Sequence, residues 1–260
     1  MSLADLIGRL RSGIVQITFS NKQNERIGGG TGFLSRGSLL TNHHVFLGHL
    51  GAVSVQLRRE GLNPTILAPA DFAARLRSGS EEDSFDYAIM EVQELVDGTE
   101  HQFLLEPPGG RRIGDAIGIL GYPLEHANLT FHQGIISSFY ASKITKIIQL
   151  DASINAGNSG GPLIDTETGA AFGMVSRRAT GLTTLFGQLR QAIRENIQFA
   201  ERSQAGVTMT LGGFDPVEGF MAGQNQILAT LDEIERQANV GIGYAISADH
   251  LLSDAALSHL

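Results

Sequence analysis

The sequence predicts a predominantly β fold, a barrel or a sandwich, interrupted by helical segments at two places. Short runs of apolar and β-branched residues recur along the chain and are broken by Gly, Asn or charged residues. Glycine accounts for 32 of the 260 residues, well above the usual share of about 7%. This abundance indicates many tight turns, as a fold of short strands requires.

The order of these patterns predicts two β halves. Residues 1–12 have helical apolar spacing, with Ser2 as a candidate N-cap, and predict a short amphipathic helix. Short β runs then follow through residues 13–105. Residues 106–111, which contain two prolines and two glycines, are the strongest break and predict a linker. Further β runs in residues 112–260 predict a second half, which ends with a strand at 241–247.

A helical insertion is predicted within the second half, at about residues 181–239. Two stretches, 185–200 and 227–238, have apolar residues at helical spacing. The stretch between them, 206–223, is rich in glycine, and we expect it to be a mobile link. An insertion of this length is too long for an ordinary loop.

Composition narrows the classes of protein to which the chain can belong. The formal charge is −8, from 19 basic and 27 acidic residues, which makes nucleic acid a poor default partner because phosphate binding needs clustered cations. The absence of cysteine excludes disulfides, thiolate metal sites and a cysteine nucleophile, and it favours a reducing compartment. With no signal-peptide pattern and no apolar stretch of about 18 residues, we expect a cytoplasmic protein without a membrane span.

The segment around Ser159 is the strongest candidate for chemistry. Ser159 lies between Gly157 and the pair Gly160-Gly161. Glycines allow a sharp turn in which successive N–H groups point into one small space. Such groups can stabilise an oxyanion while a serine hydroxyl attacks a carbonyl carbon. The alternative interpretation is a glycine-rich turn with an incidental serine.

A serine nucleophile needs a base and a carboxylate that orients the base. His43 and His44 follow an apolar β run, and at most one of two neighbours on a strand can face a given site. Asp86 directly precedes another apolar run, where a carboxylate is costly unless it is paired. Asp83 is a rival for that role. These residues alone therefore leave the choice of histidine and aspartate open.

Five segments of the chain resemble the HtrA-like branch of the trypsin-like serine proteases, and they occur in that family's order of His, Asp and Ser. Each of the five matches a motif of that family: one glycine-rich strand, one segment each for the histidine, the aspartate and the serine, and the last strand. They are GGTGF at 29–33, TNHHV at 41–45, DYAI at 86–89, DASINAGNSGGPLI at 151–164 and GIGYAI at 241–246. The chain ends soon after the last of them, so the resemblance is to a protease domain without the PDZ domain that usually follows.

The resemblance implies an all-β fold of two six-stranded antiparallel β-barrels. His44 and Asp86 come from the first barrel and Ser159 from the second. It selects His44 as the catalytic histidine and leaves His43 at a position where the family has Asn. It also implies an oxyanion hole formed by the backbone N–H groups of Gly157 and Ser159.

The resemblance further implies how a polypeptide substrate binds. Ser176, followed by Arg177 and Arg178, lies where the family aligns the substrate backbone as an added strand. The two arginines either favour acidic substrate residues or point outward beside the strand. Ser153 is expected at the base of the S1 pocket, where a neutral side chain favours a small or medium apolar P1 residue. No metal or organic cofactor is expected.

The sequence therefore predicts a serine endopeptidase that acts through an acyl-enzyme with the triad His44, Asp86 and Ser159. One alternative is a catalytically silent or partner-gated peptide-binding module of the same fold. Another is an esterase that uses the same triad on small substrates. A regulatory protein partner that docks on the helical insertion is a further hypothesis from this architecture.

Overall fold

Two antiparallel β-sheets form the body of the protein, as the sequence predicts. The computed structural model describes residues 2–97, 99, 101–123, 127–176, 181–203, 215–238 and 241–258. The second sheet is a closed six-stranded barrel with the strand order β10-β13-β12-β11-β8-β9. The first is a seven-stranded sheet with the order β5-β4-β1-β2-β3-β7-β6, one strand more than expected, with the short strands β5 and β6 at its edges.

The strands of the first sheet are β1 Ile14–Ser20, β2 Arg26–Ser35, β3 Ser38–Thr41, β4 Ser54–Arg59, β5 Thr65–Leu67, β6 Leu76–Ser80 and β7 Tyr87–Glu91. Those of the barrel are β8 Ala116–Gly121, β9 Thr130–Ser142, β10 Thr145–Asp151, β11 Pro162–Asp165, β12 Ala171–Val175 and β13 Ile242–Ser247. The helices are α1 Leu3–Leu10, α2 His43–Phe46, α3 Pro69–Ala73, α4 Gln93–Val96, α5 Gly181–Ser203, α6 Pro216–Ala238, α7 Asp249–Leu252 and α8 Ala255–Ser258.

The N-terminal helix α1 begins with a capping box. The Ser2 hydroxyl accepts a hydrogen bond from the Asp5 N–H, and the Asp5 carboxylate accepts one from the Ser2 N–H. These bonds satisfy two backbone groups that a helix end would otherwise leave unpaired. The buried face of the helix carries Leu6 and Leu10. The predicted short N-terminal helix is thus confirmed.

Three hydrophobic clusters form the core of the β body, and one of them joins the two sheets. One fills the first sheet around Phe19 and Phe72, whose rings meet edge to face. A second fills the barrel around Ile119 and Phe172. The third contains residues of α1, both sheets and the C-terminal helices, and Tyr122 is its largest fully buried side chain. Because this third cluster draws on all of these elements, the two sheets share a core.

The helical insertion forms a separate compact unit, residues 178–239. Its two helices, α5 and α6, bury Ile193, Ala200 and Leu231. The glycine-rich link extends less far than predicted, because α6 begins at Pro216 and includes residues 216–223. Proline suits the first turn of a helix, and the Asp215 carboxylate accepts hydrogen bonds from the next two free N–H groups. The rest of the predicted link, 206–214, lies outside the described residues.

No helix in the described part of the chain is both long enough and apolar enough to cross a membrane.

Candidate active site

Ser159 lies in a tight loop between β10 and β11. Gly157 and Gly160 on either side have φ angles of +97° and +85°, in the left-handed region that favours glycine. A Cβ atom at Gly157 would clash with the carbonyl oxygen of Tyr122, and one at Gly160 would clash with that of Thr31. The loop therefore needs glycine at both positions for two independent reasons, conformation and space.

The first sheet holds this loop through Thr31 on β2. The Thr31 N–H donates a 2.9 Å hydrogen bond to the carbonyl oxygen of Ser159. The Thr31 hydroxyl donates to the carbonyl oxygen of Gly157 at 2.6 Å and accepts from the Tyr122 N–H at 3.0 Å. All of these groups are buried, so the Ser159 loop is fixed to the first sheet by the backbone N–H and the hydroxyl of Thr31.

Two N–H groups in the Ser159 loop remain available. In the part of the chain that the structure describes, the N–H groups of Gly157 and Ser159 donate to no acceptor. Both residues are buried, and buried N–H groups are almost always paired in native proteins. The fully buried amide side chain of Asn158, between them, also has no partner among the described residues.

His44 and Asp86 are joined by two contacts. Nδ1 of His44 lies 2.8 Å from Oδ2 of Asp86, and the His44 N–H donates to Oδ1 of the same carboxylate at 3.0 Å. Both histidines belong to the short helix α2 rather than to a strand, which corrects the expected local structure. His43 instead lies near Phe46, with ring centroids 6.1 Å apart. The geometry therefore pairs His44, not His43, with the carboxylate.

Asp86 is fully buried and is held on all sides. Besides His44, its Oδ2 accepts a 2.9 Å hydrogen bond from the Ser176 hydroxyl. Its carbonyl oxygen accepts from the Asn42 side chain at 2.9 Å, and its N–H donates to the carbonyl oxygen of Glu81 at 3.0 Å. Asp83, the rival from the sequence, is exposed. A buried carboxylate needs such partners because desolvation penalises an unpaired charge.

The backbone of Asp86 is strained. Its φ angle is +47°, in the left-handed region that residues other than glycine seldom adopt and that Asp and Asn adopt more often than the rest. Strain of this kind costs on the order of 1–3 kcal/mol and persists only where the surroundings fix the residue. The neighbours of Asp86 must therefore offset this cost.

The structure describes two of the four predicted substrate-binding residues, Ser153 and Ser176. The buried Ser176 hydroxyl donates to Asp86, and the Ser176 N–H donates to the carbonyl oxygen of Tyr244. Ser153 is exposed, and its place at the base of an S1 pocket stays a prediction. Arg177 and Arg178 lie outside the described residues. Among the described residues, no three His, Asp or Glu side chains converge as a metal site would require.

Sequence reasoning missed the structural roles of Thr31 and Ser176. Thr31 lies inside the glycine-rich stretch 29–33, which was identified only as a strand. Its polar side chain among glycines and apolar residues was the one available signal. The Ser176 hydroxyl gave no local sign that it would contact a carboxylate 90 positions earlier in the chain.

Comparisons with known proteins agree with this geometry. A family model described as trypsin-like peptidase domain matches residues 30–174. Protease Do-like 4, a mitochondrial protein of Arabidopsis thaliana, is 32% identical over 143 residues, which cover 52% of this chain and 25% of that protein. A protein of Sinorhizobium fredii with the name y4bJ is 31% identical over 202 residues, covering 73% of this chain and 28% of its own. The chain thus spans about a quarter of the length of these relatives.

A solved structure gives the same result for the fold. The HtrA-type protease AlgW, determined with a tripeptide, superposes with a TM-score of 0.58 at 20% identity. The match covers 97% of this chain and 62% of that one. At this identity the similarity establishes the fold alone, two β units of the chymotrypsin type.

Proposed function

Because the chain is an HtrA-like member of the trypsin-like peptidase family, we propose that it is a serine endopeptidase with Ser159 as its nucleophile. His44 is the general base and Asp86 orients it. The observation that carries this proposal is the double contact between His44 and Asp86, through Nδ1 and the backbone N–H. A carboxylate that is hydrogen-bonded to both the ring and the backbone N–H of one histidine fixes the orientation of that ring.

The proposed reaction uses the His44 tautomer that carries its proton on Nδ1, facing Asp86. With Nδ1–H donated to Asp86, Nε2 of His44 is free to accept the proton of the Ser159 hydroxyl. The Ser159 oxygen then bonds to the substrate carbonyl carbon and forms a tetrahedral oxyanion. As the C–N bond breaks, the imidazolium gives its proton to the leaving amine. Water, deprotonated by the same Nε2, hydrolyses the acyl-enzyme and restores the serine.

The oxyanion in this scheme binds to the N–H groups of Gly157 and Ser159. Their lack of an acceptor among the described residues supports this role. Removing a single donor from such a site typically slows catalysis by about 10²–10³-fold. The fixed backbone of the loop preorganises both donors, so neither has to move as charge develops.

The proposed substrate is a polypeptide that adds an extended strand beside residues 176–178. Main-chain hydrogen bonds of this kind supply affinity whatever the sequence. The preference for a small or medium apolar P1 residue remains a proposal, as does the choice between two orientations of Arg177 and Arg178. A peptide library with each residue type at P1 and with acidic residues at the flanking positions tests both.

A fluorophosphonate probe tests the enzyme proposal directly. We expect it to label the full chain at Ser159, identified by peptide mass mapping, and not to label Ser159→Ala. Absence of labelling in the folded wild type, together with peptide binding, would instead support the silent peptide-binding module. Faster turnover of small acyl esters than of any peptide in the library would support an esterase.

The helical insertion is a candidate docking element for a regulatory protein. It lies between Ser176 and Ile242 in the chain, and within the β body the Ser176 N–H donates a hydrogen bond to the carbonyl oxygen of Tyr244. Ser176, which precedes the insertion in the chain, also donates a hydrogen bond to the Asp86 carboxylate. Replacing residues 183–238 by a short Gly-Ser bridge tests the role. Unchanged cleavage rates, with and without cell extract, would exclude regulation through this unit.

A further inference from the structure

The C-terminal segment, residues 249–258, packs beside the aspartate of the candidate triad. We call this segment the C-terminal clamp; it contains α7 and α8. Two of its side chains, His250 and Asp254, contact the residues on either side of Asp86. Neither residue was singled out in the sequence, and neither takes part in the reaction proposed above.

Asp254 makes the contact on the C-terminal side of Asp86. Its Oδ2 accepts a 2.7 Å hydrogen bond from the hydroxyl of Tyr87, the residue bonded directly to Asp86. The same oxygen accepts a 2.6 Å hydrogen bond from the Ser78 hydroxyl on β6. The other oxygen, Oδ1, accepts the N–H of Ala256 at 2.8 Å and so caps α8. One carboxylate thereby joins the clamp to two neighbouring strands.

The protonation states suit this arrangement. Burial alone would raise the pKa of the Asp254 carboxyl, but hydrogen bonds from Ser78, Tyr87 and Ala256 outweigh burial and leave the pKa lowered. Burial, and then the hydrogen bond to Asp254 and its negative charge, raise the pKa of the Tyr87 phenol. Near neutral pH the acceptor is therefore charged and the donor keeps its proton, which gives the stronger, charge-assisted bond.

His250 makes the contact on the N-terminal side. Its ring stacks on Phe85 with centroids 4.0 Å apart and planes 17° from parallel. Nε2 of His250 accepts the Lys146 N–H at 3.0 Å, which fixes the ring against the barrel. The barrel also contacts the residue before Phe85: the Thr145 hydroxyl donates a 2.5 Å hydrogen bond to the carbonyl oxygen of Ser84.

We propose that Asp254, acting through Tyr87, is a positioning residue that holds the Asp86 carboxylate toward His44. This inference rests on the proposed function and deepens it. Asp86 occupies a left-handed backbone conformation, and a residue in that region relaxes once its neighbours are free to turn. Fixing Phe85 and Tyr87 on the two sides leaves Asp86 no room to relax.

Tyr87→Phe and Ser78→Ala form a matched pair that separates positioning from plain stability. Each removes one hydroxyl from the same carboxylate oxygen. Only Tyr87 is bonded to Asp86. If Asp254 positions Asp86 through Tyr87, Tyr87→Phe lowers kcat about tenfold and leaves KM within about twofold. Here kcat is calculated per active site, as titrated with the fluorophosphonate probe. Ser78→Ala then leaves both parameters within about twofold of wild type.

Two further variants test the same coupling. Asp254→Ala should reproduce the loss of kcat, and Asp254→Asn should restore part of it because an amide oxygen can still accept the Tyr87 hydroxyl. The double variant Tyr87→Phe with Asp254→Ala should be no slower than the slower single variant, since both remove one interaction. If the fold-losses in kcat of the two single variants multiply in the double variant, Asp254 does not act through Tyr87.

Hydrogen exchange gives a readout that needs no activity. The N–H groups of His44 and Asp86 are both bonded within this site, and we expect them to exchange about tenfold faster in Tyr87→Phe than in Ser78→Ala. Equal exchange and equal kcat in the two variants would overturn the positioning role. If the wild type neither labels nor cleaves, the proposed function fails, while the exchange comparison still decides whether the clamp holds Asp86.

Discussion

The hydroxyl of Thr31 donates a 2.6 Å hydrogen bond to the carbonyl oxygen of Gly157, which lies 126 positions later in the chain. The same oxygen atom of Thr31 accepts the N–H of Tyr122. A single side chain of the first sheet thus fixes the peptide group next to the candidate nucleophile of the second. The conformation of the Ser159 loop therefore depends on both sheets, although all of its residues belong to the second half of the chain.

Thr31→Val tests this connection. Valine keeps the shape of threonine but removes the hydroxyl, which leaves the Gly157 carbonyl and the Tyr122 N–H buried without a partner. We expect the free energy of unfolding to fall by about 2 kcal/mol and fluorophosphonate labelling to slow. Thr31→Ser, which keeps the hydroxyl, should retain most of both. Equal losses in the two variants would mean that the methyl group, not the hydrogen bonds, matters.

Gly157→Ala and Gly223→Ala contrast two glycines with opposite surroundings. A Cβ at Gly157 meets the Tyr122 carbonyl oxygen in a left-handed conformation, whereas one at Gly223 in α6 meets nothing within 4 Å. We expect Gly157→Ala to abolish labelling. Gly223→Ala should stabilise the chain by about 0.5–1 kcal/mol, because alanine favours a helix. Thermal denaturation and labelling of both variants check these effects. A fully labelled Gly157→Ala protein would contradict the geometry of the loop.

His44→Ala and His43→Asn test the choice between adjacent histidines. Only His44 contacts Asp86 through both its ring and its N–H. We expect His44→Ala to lower kcat/KM by several orders of magnitude, as loss of a triad base does. His43→Asn should change it less than about tenfold. The reverse order of effects, measured with one peptide substrate, would shift the assigned site by one residue.

Three histidines that are at least partly buried should make the protein less stable in mild acid. Burial lowers the pKa of His101, His132 and His250 below the usual 6.5. The unfolded chain therefore binds protons at a higher pH than the folded one, and stability falls as pH drops below about 6.5 toward the folded pKa. Urea denaturation of Ser159→Ala, which avoids self-cleavage, should show this fall between pH 7.5 and 5.5. His132→Gln should reduce it, and an unchanged pH dependence would exclude a contribution from His132.

The sequence predicted which segments form the site better than it predicted the contacts between residues far apart in the chain. The segments of His44, Asp86 and Ser159 each carry a local signal, because their neighbours follow a strict pattern of glycines and apolar residues. The contacts of Thr31 with Gly157, of Ser176 with Asp86 and of Asp254 with Tyr87 span 126, 90 and 167 positions. No local pattern encodes such contacts.

Two local errors have simple physical causes. Residues 43–46 follow an apolar strand and suggest its continuation, but Asn42 turns the chain and α2 begins at His43. Pro216 suggests a break within a glycine-rich stretch, yet proline is well suited to the first turn of a helix, and Asp215 caps α6 there. In both places the start of a helix was mistaken for a different signal.

Cleavage-site mapping tests the central claim most directly. A proteome digested with the wild-type chain is compared with one treated with Ser159→Ala, and the new peptide N-termini are counted by mass spectrometry. We expect new termini only with the wild type, preceded mainly by small or medium apolar residues. The same termini with both proteins, or none with a folded wild-type protein, would contradict the assignment of Ser159 as the nucleophile of an endopeptidase.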